Sequence, residues 1–252
     1  MIEYEITCKD ELLPENFASE KDFQDSVIKE CESDIWYFLK YIFKVRVLSY
    51  DLDKRYDNIK FNIGHVAFIN SFINDKPITY LCNPRQTCNT IILIALYLYI
   101  KYIKGCKTNI IKFGNILPDY IIKKYRKLLY DCDSILPDYI RNNIPPKSNI
   151  DYILINDFEY NDYEIMWEDI ILLKYKTKRI FMTSVINDNI SKNKLNVINS
   201  MNKVSTDDIS NVEMPYILIP ENKIFSLEKL KQIKTALGDD EVYRREIERR
   251  RK

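Results

Sequence analysis

Glycine is scarce in this chain: four in 252 residues, at positions 64, 105, 114 and 238. With no repeat period and no glycine- or proline-rich stretch, nothing marks a flexible linker between domains. Histidine is rarer still, a single His65, and the six cysteines at 8, 31, 82, 88, 106 and 132 include no Cys-x-x-Cys pair. Zinc-ligand spacing and the disulfide framework of a small secreted domain are therefore both missing, which leaves reduced thiols and a cytosolic compartment as the expectation. An excess of one charge is lacking too. Basic side chains number 38 and acidic ones 37, a net +1, so the whole-molecule field does not announce a nucleic-acid partner, although a local DNA contact stays open. The opening stretch MIEYEITCKDELLPENF carries acids where a signal peptide carries bases. The uninterrupted apolar run Ile91 to Ile100 ends at Lys101, and no stretch reaches the roughly 20 residues of a membrane span.

What is present is a large apolar fraction. At 46% hydrophobic and 30% charged, the chain has the material for one sizeable core. SEKDFQDSVIKECESDIWYFLKYIFKV repeats apolar residues three and four apart (Phe23, Val27, Ile28, Cys31, Ile35, Phe38), which lays a single packing stripe along a helix. GHVAFINSFIND predicts a short helix stopped by Pro77, with His65 on its packed face. Short apolar runs follow at 78–82, 108–113, 151–156, 178–184 and 215–220, separated over the first four by helical patterns at 90–102, 119–129 and 160–174. Strands alternating with helices predict an α/β fold, a mostly parallel sheet with helices on both faces. The most polar stretch, 187–211, reads as a surface excursion. A tail helix should stop at Gly238, and the basic end of the chain suits a helix dipole without any DNA to explain it. The whole chain reads as one domain: a helical region over 1–76, an α/β core over 77–220 and C-terminal helices over 221–252.

Between the runs ITYLC and IILIALYLYI lies NPRQTCNT, residues 83–90, where many nucleotide-binding proteins hold a phosphate. A working loop of that kind reads G-x-x-x-x-G-K-[ST]: glycines admit the backbone N–H groups, lysine neutralises the β/γ charge and the hydroxyl holds magnesium. Overlaid here, the first glycine becomes Asn83, the second Cys88 and the lysine Asn89, and Thr90 alone is retained. Each residue also has a plain reading. Arg85 suits a surface, Thr90 a helix cap, Asp157 and Glu159 the cap of a following helix, and Cys82 and Cys88 reduced buried thiols.

The flanking residues add weight. CNPRQTCNT before an apolar helix resembles the Walker A segment of the large terminases of tailed phages, the viral DNA-packaging ATPases, with Arg85, Gln86 and Thr90 at matching positions. The resemblance continues in chain order from about residue 30 to 190. DIWYFLKYIFKV is similar to the family's aromatic N-terminal helix, and SILPDYI to the segment ahead of Walker B. YILINDFEY resembles Walker B itself, with Asn156 where the magnesium-orienting aspartate belongs and Asp157 where the catalytic glutamate belongs. KRIFMTSVIND resembles the coupling strand, where Thr183, Ser184 and Asn187 match while Ile186 and Asp188 depart. His65 or Val66 falls where the adenine-reading glutamine is expected, and the chain stops before the family's nuclease domain.

The resemblance implies a P-loop NTPase-like core whose pocket residues Arg85, Gln86, Cys88, Asn89, Thr90, Asn156, Asp157 and Thr183 have lost their chemistry. It implies no catalytic residue, no endonuclease and no resident cofactor or metal, with weak Mg-ATP binding left open. The expected role is a structural or docking component of a phage particle or DNA-packaging complex, acting through protein partners in the host cytoplasm and the virion and not at a membrane. The alternative it leaves is a packaging motor subunit whose ATPase is weak or supplied by a partner.

Overall fold

The computed structural model describes residues 5–46, 56–75, 78–82, 89–111, 119–147, 151–156, 179–184 and 209–213, with 231, 232, 234, 235 and 238. Helix α1 (Glu20–Ser33) is opened by Ser19, whose hydroxyl accepts the Asp22 N–H at 3.1 Å, and Glu20 and Asp22 place acid at its positive end. Its buried side is Val27 and Cys31. The single apolar stripe read from the sequence is broken at Asp34. That residue leaves helical geometry (φ −142°), and its carboxylate accepts the Trp36 N–H at 2.8 Å, starting a second helix, α2 (Ile35–Tyr37). Aspartate stabilises a helix start better than a helix interior, so the side chain decides the break. A π-helical turn, Phe38–Ile42, then leads into the strand β1 (Lys44–Arg46), which pairs antiparallel with β2 (Tyr56–Asn58).

Helix α3 (Ile63–Ile73) shows what the lone histidine does. Asn62 caps the helix by accepting the His65 N–H on Oδ1 at 3.0 Å, and His65 Nδ1 accepts the Asn62 N–H at 3.4 Å. The pair is a capping box with His in place of the usual Glu or Gln, and both residues are fully buried. Strand β3 (Ile78–Cys82), helix α4 (Asn89–Tyr99) with a π-helical turn at Ile100–Lys104, and strand β4 (Lys107–Ile111) follow. Gly105 joins that turn to β4 at φ 63°, where an added Cβ would stand 2.4 Å from the Pro146 carbonyl oxygen. Helix α5 (Asp119–Ser134), the short α6 (Asp138–Arg141), and strands β5 (Asp151–Ile155), β6 (Arg179–Ser184) and β7 (Ile209–Glu213) complete the described elements. β7 begins inside the stretch read as a surface excursion. The helical pattern at 160–174 and the apolar run at 215–220 lie outside the described residues. Gly238 has φ 64° and its N–H bonds Lys234 O at 3.2 Å, the geometry of a glycine that ends a helical turn.

The five core strands pair in parallel in the order β4-β5-β6-β3-β7. Register places Tyr152 and Leu154 of β5, with Asn156 just past its end, on the same face as Arg179, Phe181 and Thr183 of β6 and Thr79 and Leu81 of β3. Helix α3 covers this face. Phe68 meets Phe181 edge-on at 5.5 Å, and one turn later Phe72 touches Phe181 at 5.7 Å, Tyr152 at 5.7 Å and Tyr99 of α4 at 5.9 Å. Tyr99 in turn donates its hydroxyl to Cys31 O at 3.0 Å, tying α4 to α1. Each of these large side chains contributes about 1.5–3 kcal/mol by burial, so the ring cluster is the mechanical link between the helical region and the sheet.

Candidate functional site

From β3 the chain passes to β4 at the far edge, returns through β5 and β6, and then steps over β3 to β7. The adjacent strands β6 and β3 thus send their outgoing connections in opposite directions. In an open parallel sheet that reversal leaves a crevice outside the carboxyl ends of the strands, the place where such folds take ligands. Three features converge on this edge: the end of β3 at Cys82 with the start of α4 at Asn89 seven residues later in the sequence, the end of β6 at Thr183 and Ser184, and Asn156 just past β5.

Asn156 and Thr183 are brought together. Thr183 Oγ1 donates to Asn156 Oδ1 at 3.2 Å, with 0% and 1% of the two residues exposed, Thr183 first. Parallel register explains the meeting, because Ile155 pairs with Met182 and the next residues on each strand fall side by side on one face. Asn89, 8% exposed, opens α4 in the buried layer, and Thr90 is half-buried beside it in sequence. Arg85, Gln86, Cys88 and Asp157 lie outside the described residues, as do Glu159 and Asn187.

The described residues at the ends of β5 and β6, Asn156, Thr183 and Ser184, and those that open α4, Asn89 and Thr90, are uncharged. A magnesium ion is held by anionic or strongly polar oxygens. Here the group at the end of β5 is an uncharged carboxamide whose oxygen accepts a threonine hydroxyl, a pairing that satisfies both side chains in a buried layer. Among the described residues no group of three or more His, Cys, Asp and Glu side chains is placed to hold a metal. Nor is any described helix long and apolar enough to cross a membrane.

Two residues near this sheet face carried no sequence signal that singled them out. Thr79, fully buried in β3, has no hydrogen-bond partner for its hydroxyl; a threonine inside an apolar strand run looks like an ordinary β-former. Arg179, at the start of β6, pairs with Asp75, 104 residues away in the chain. No local pattern encodes a contact of that separation. No protein-family model and no curated protein matches the chain.

Proposed function

We propose that this chain is a terminase-like protein with a P-loop NTPase-like core that does not turn over ATP, retained as a structural or docking component of a phage particle or DNA-packaging complex. Its place is the host cytoplasm and the assembled virion, and its partners are the proteins of that assembly. The observation that carries the reading is the buried Asn156–Thr183 pair at the carboxyl edge of the sheet. At the position that the resemblance assigns to a magnesium-orienting aspartate, the side chain has no charge, and its oxygen serves the fold. The loop sequence NPRQTCNT supports the same reading, since it has neither the lysine that would neutralise a triphosphate nor the glycines that would admit its oxygens.

Calorimetry with Mg-ATP and Mg-ADP tests it. The unmodified protein should give no binding heat, whereas the combined variant Cys88→Gly, Asn89→Lys, Asn156→Asp, Asp157→Glu should bind if a nucleotide scaffold lies beneath the substitutions. Tight ATP binding or turnover by the unmodified chain alone would refute the inactive reading. Turnover only on adding a packaging partner would favour the partner-dependent motor instead. Mass spectrometry of purified virions then asks whether the protein resides in the particle.

A further inference from the structure

A second recess lies at the opposite, amino-terminal edge of the sheet. It is a half-open cavity of about 390 Å³ floored by the rings of Phe72, Tyr99 and Tyr152, with Arg179, Lys104 and Asp75 among its lining residues. Its size falls within the few hundred cubic ångströms of ordinary small-ligand sites, and its lining mixes aromatic and aliphatic side chains with charged groups able to fix a ligand's orientation. We propose that this cavity is a binding site for a carboxylate carried on an aromatic body, with Arg179 as its anion anchor. The inference does not depend on the nucleotide-site reading, since it uses the other end of the strands and none of the same residues.

Arg179 carries the argument. Its side chain is only 12% exposed, and arginine is seldom buried to that degree without a committed anion. The anion it has is Asp75, which is 75% exposed, sits past the end of α3 at φ 58°, and reaches the guanidinium through Oδ1. An almost buried cation is thus served by a carboxylate that stays largely in water and can be displaced with little loss of packing. The guanidinium also lies over the Tyr152 ring, 5.6 Å from its centroid. Together these contacts use only part of its five-donor fork, which is shaped to take a carboxylate through two parallel hydrogen bonds. Lys104, whose Nζ donates to Glu32 O at 2.8 Å and lies 5.5 Å from the Tyr99 centroid, adds a second positive charge to the same wall. Asp75 shows which chemistry Arg179 accepts, and the aromatic residues beside it favour a ligand body that is itself aromatic.

Two sources can supply that chemistry, a free aromatic acid or the C-terminus of a partner chain ending in an aromatic residue. Titrate the protein with phenylacetate, phenylacetamide, phenyl phosphate, and a pentapeptide ending in phenylalanine as acid or as amide, reading chemical shifts and heats. Phenylacetate should bind and its amide should bind at least about tenfold more weakly, because the charge-assisted bidentate pair is lost. Arg179→Gln should weaken phenylacetate by a similar factor, and Asp75→Asn should strengthen it by about threefold or more by removing the internal competitor. Asp75 is exposed, so this second variant keeps the test decisive if Arg179→Gln fails to fold. Tighter binding of the peptide acid than of phenylacetate would identify a partner's C-terminus as the source, and the reverse would identify a free acid. Equal binding of acid and amide, tighter binding of phenyl phosphate, no binding of any acid at millimolar concentration, or no gain in Asp75→Asn would overturn the proposal.

Discussion

Two threonines on one sheet face make opposite predictions. Thr183 donates its hydroxyl to Asn156, while Thr79, two residues before the Leu81 that pairs with Thr183 in register, has a buried hydroxyl with no partner. Leaving such a group unsatisfied costs about 1–3 kcal/mol, and a made hydrogen bond contributes about 1 kcal/mol net. Thr183→Val should therefore lower the free energy of unfolding in urea by about 1 kcal/mol, and Thr79→Val, nearly the same shape without the hydroxyl, should raise it by a similar amount. Both changes are isosteric and neighbouring in space, so differences in volume cancel between them. The same residues show where the sequence was readable. Asn156 stood out because it occupies a position that a motif reserves for an aspartate, and Thr183 because it matches the motif of the coupling strand. Thr79 did not stand out, because burial of a hydroxyl is decided by α3 packing over the strand and not by anything local.

Strand runs were legible because each is a short apolar block between breakers: the expected 78–82, 151–156 and 178–184 correspond to strands at 78–82, 151–155 and 179–184. The first helix was not, since apolar spacing ignores Asp34, whose carboxylate rewards a restart. The capping box of α3 was missed for a similar reason: the familiar signature ends in Glu or Gln, and His65 fills that role with Nδ1. Removing the cap should matter more here than at a surface helix, because Asn62 is fully buried. Asn62→Ala is expected to cost about 1–2 kcal/mol in chemical unfolding, whereas Ser19→Ala at the exposed start of α1 should cost nearer 0.5 kcal/mol. Gly105, which ends the π-helical turn after α4, is constrained more tightly. Alanine there meets both a left-handed φ and the Pro146 carbonyl, so Gly105→Ala should destabilise by more than Asn62→Ala.

At the scale of the molecule, the packed core makes stability depend on pH in one direction. Burial pushes the thiols of Cys31 and Cys132 from 9.0 up to about 12, and the phenols of Tyr139 and Tyr152 from 10.0 up to about 12. Burial also raises Tyr99. In each case the unfolded chain gives up its proton before the folded chain does, so the contribution is complete below pH 9 and is lost as pH rises toward 12. Urea midpoints should be flat from pH 7 to near 9 and fall steadily above it. Alkylation of Cys31 and Cys132 at pH 8 should await unfolding, because a buried neutral thiol is a poor nucleophile.

The strand order also dictates a schedule. β3 is finished by residue 82, yet its neighbours in the sheet, β6 and β7, end at 184 and 213. A ribosome making this protein must therefore emit about a hundred further residues before β3 can find its first lateral partner, and the strand that completes its other side arrives later still. Nascent chains halted before that point carry an edge open on both sides, which makes them the species most in need of a chaperone.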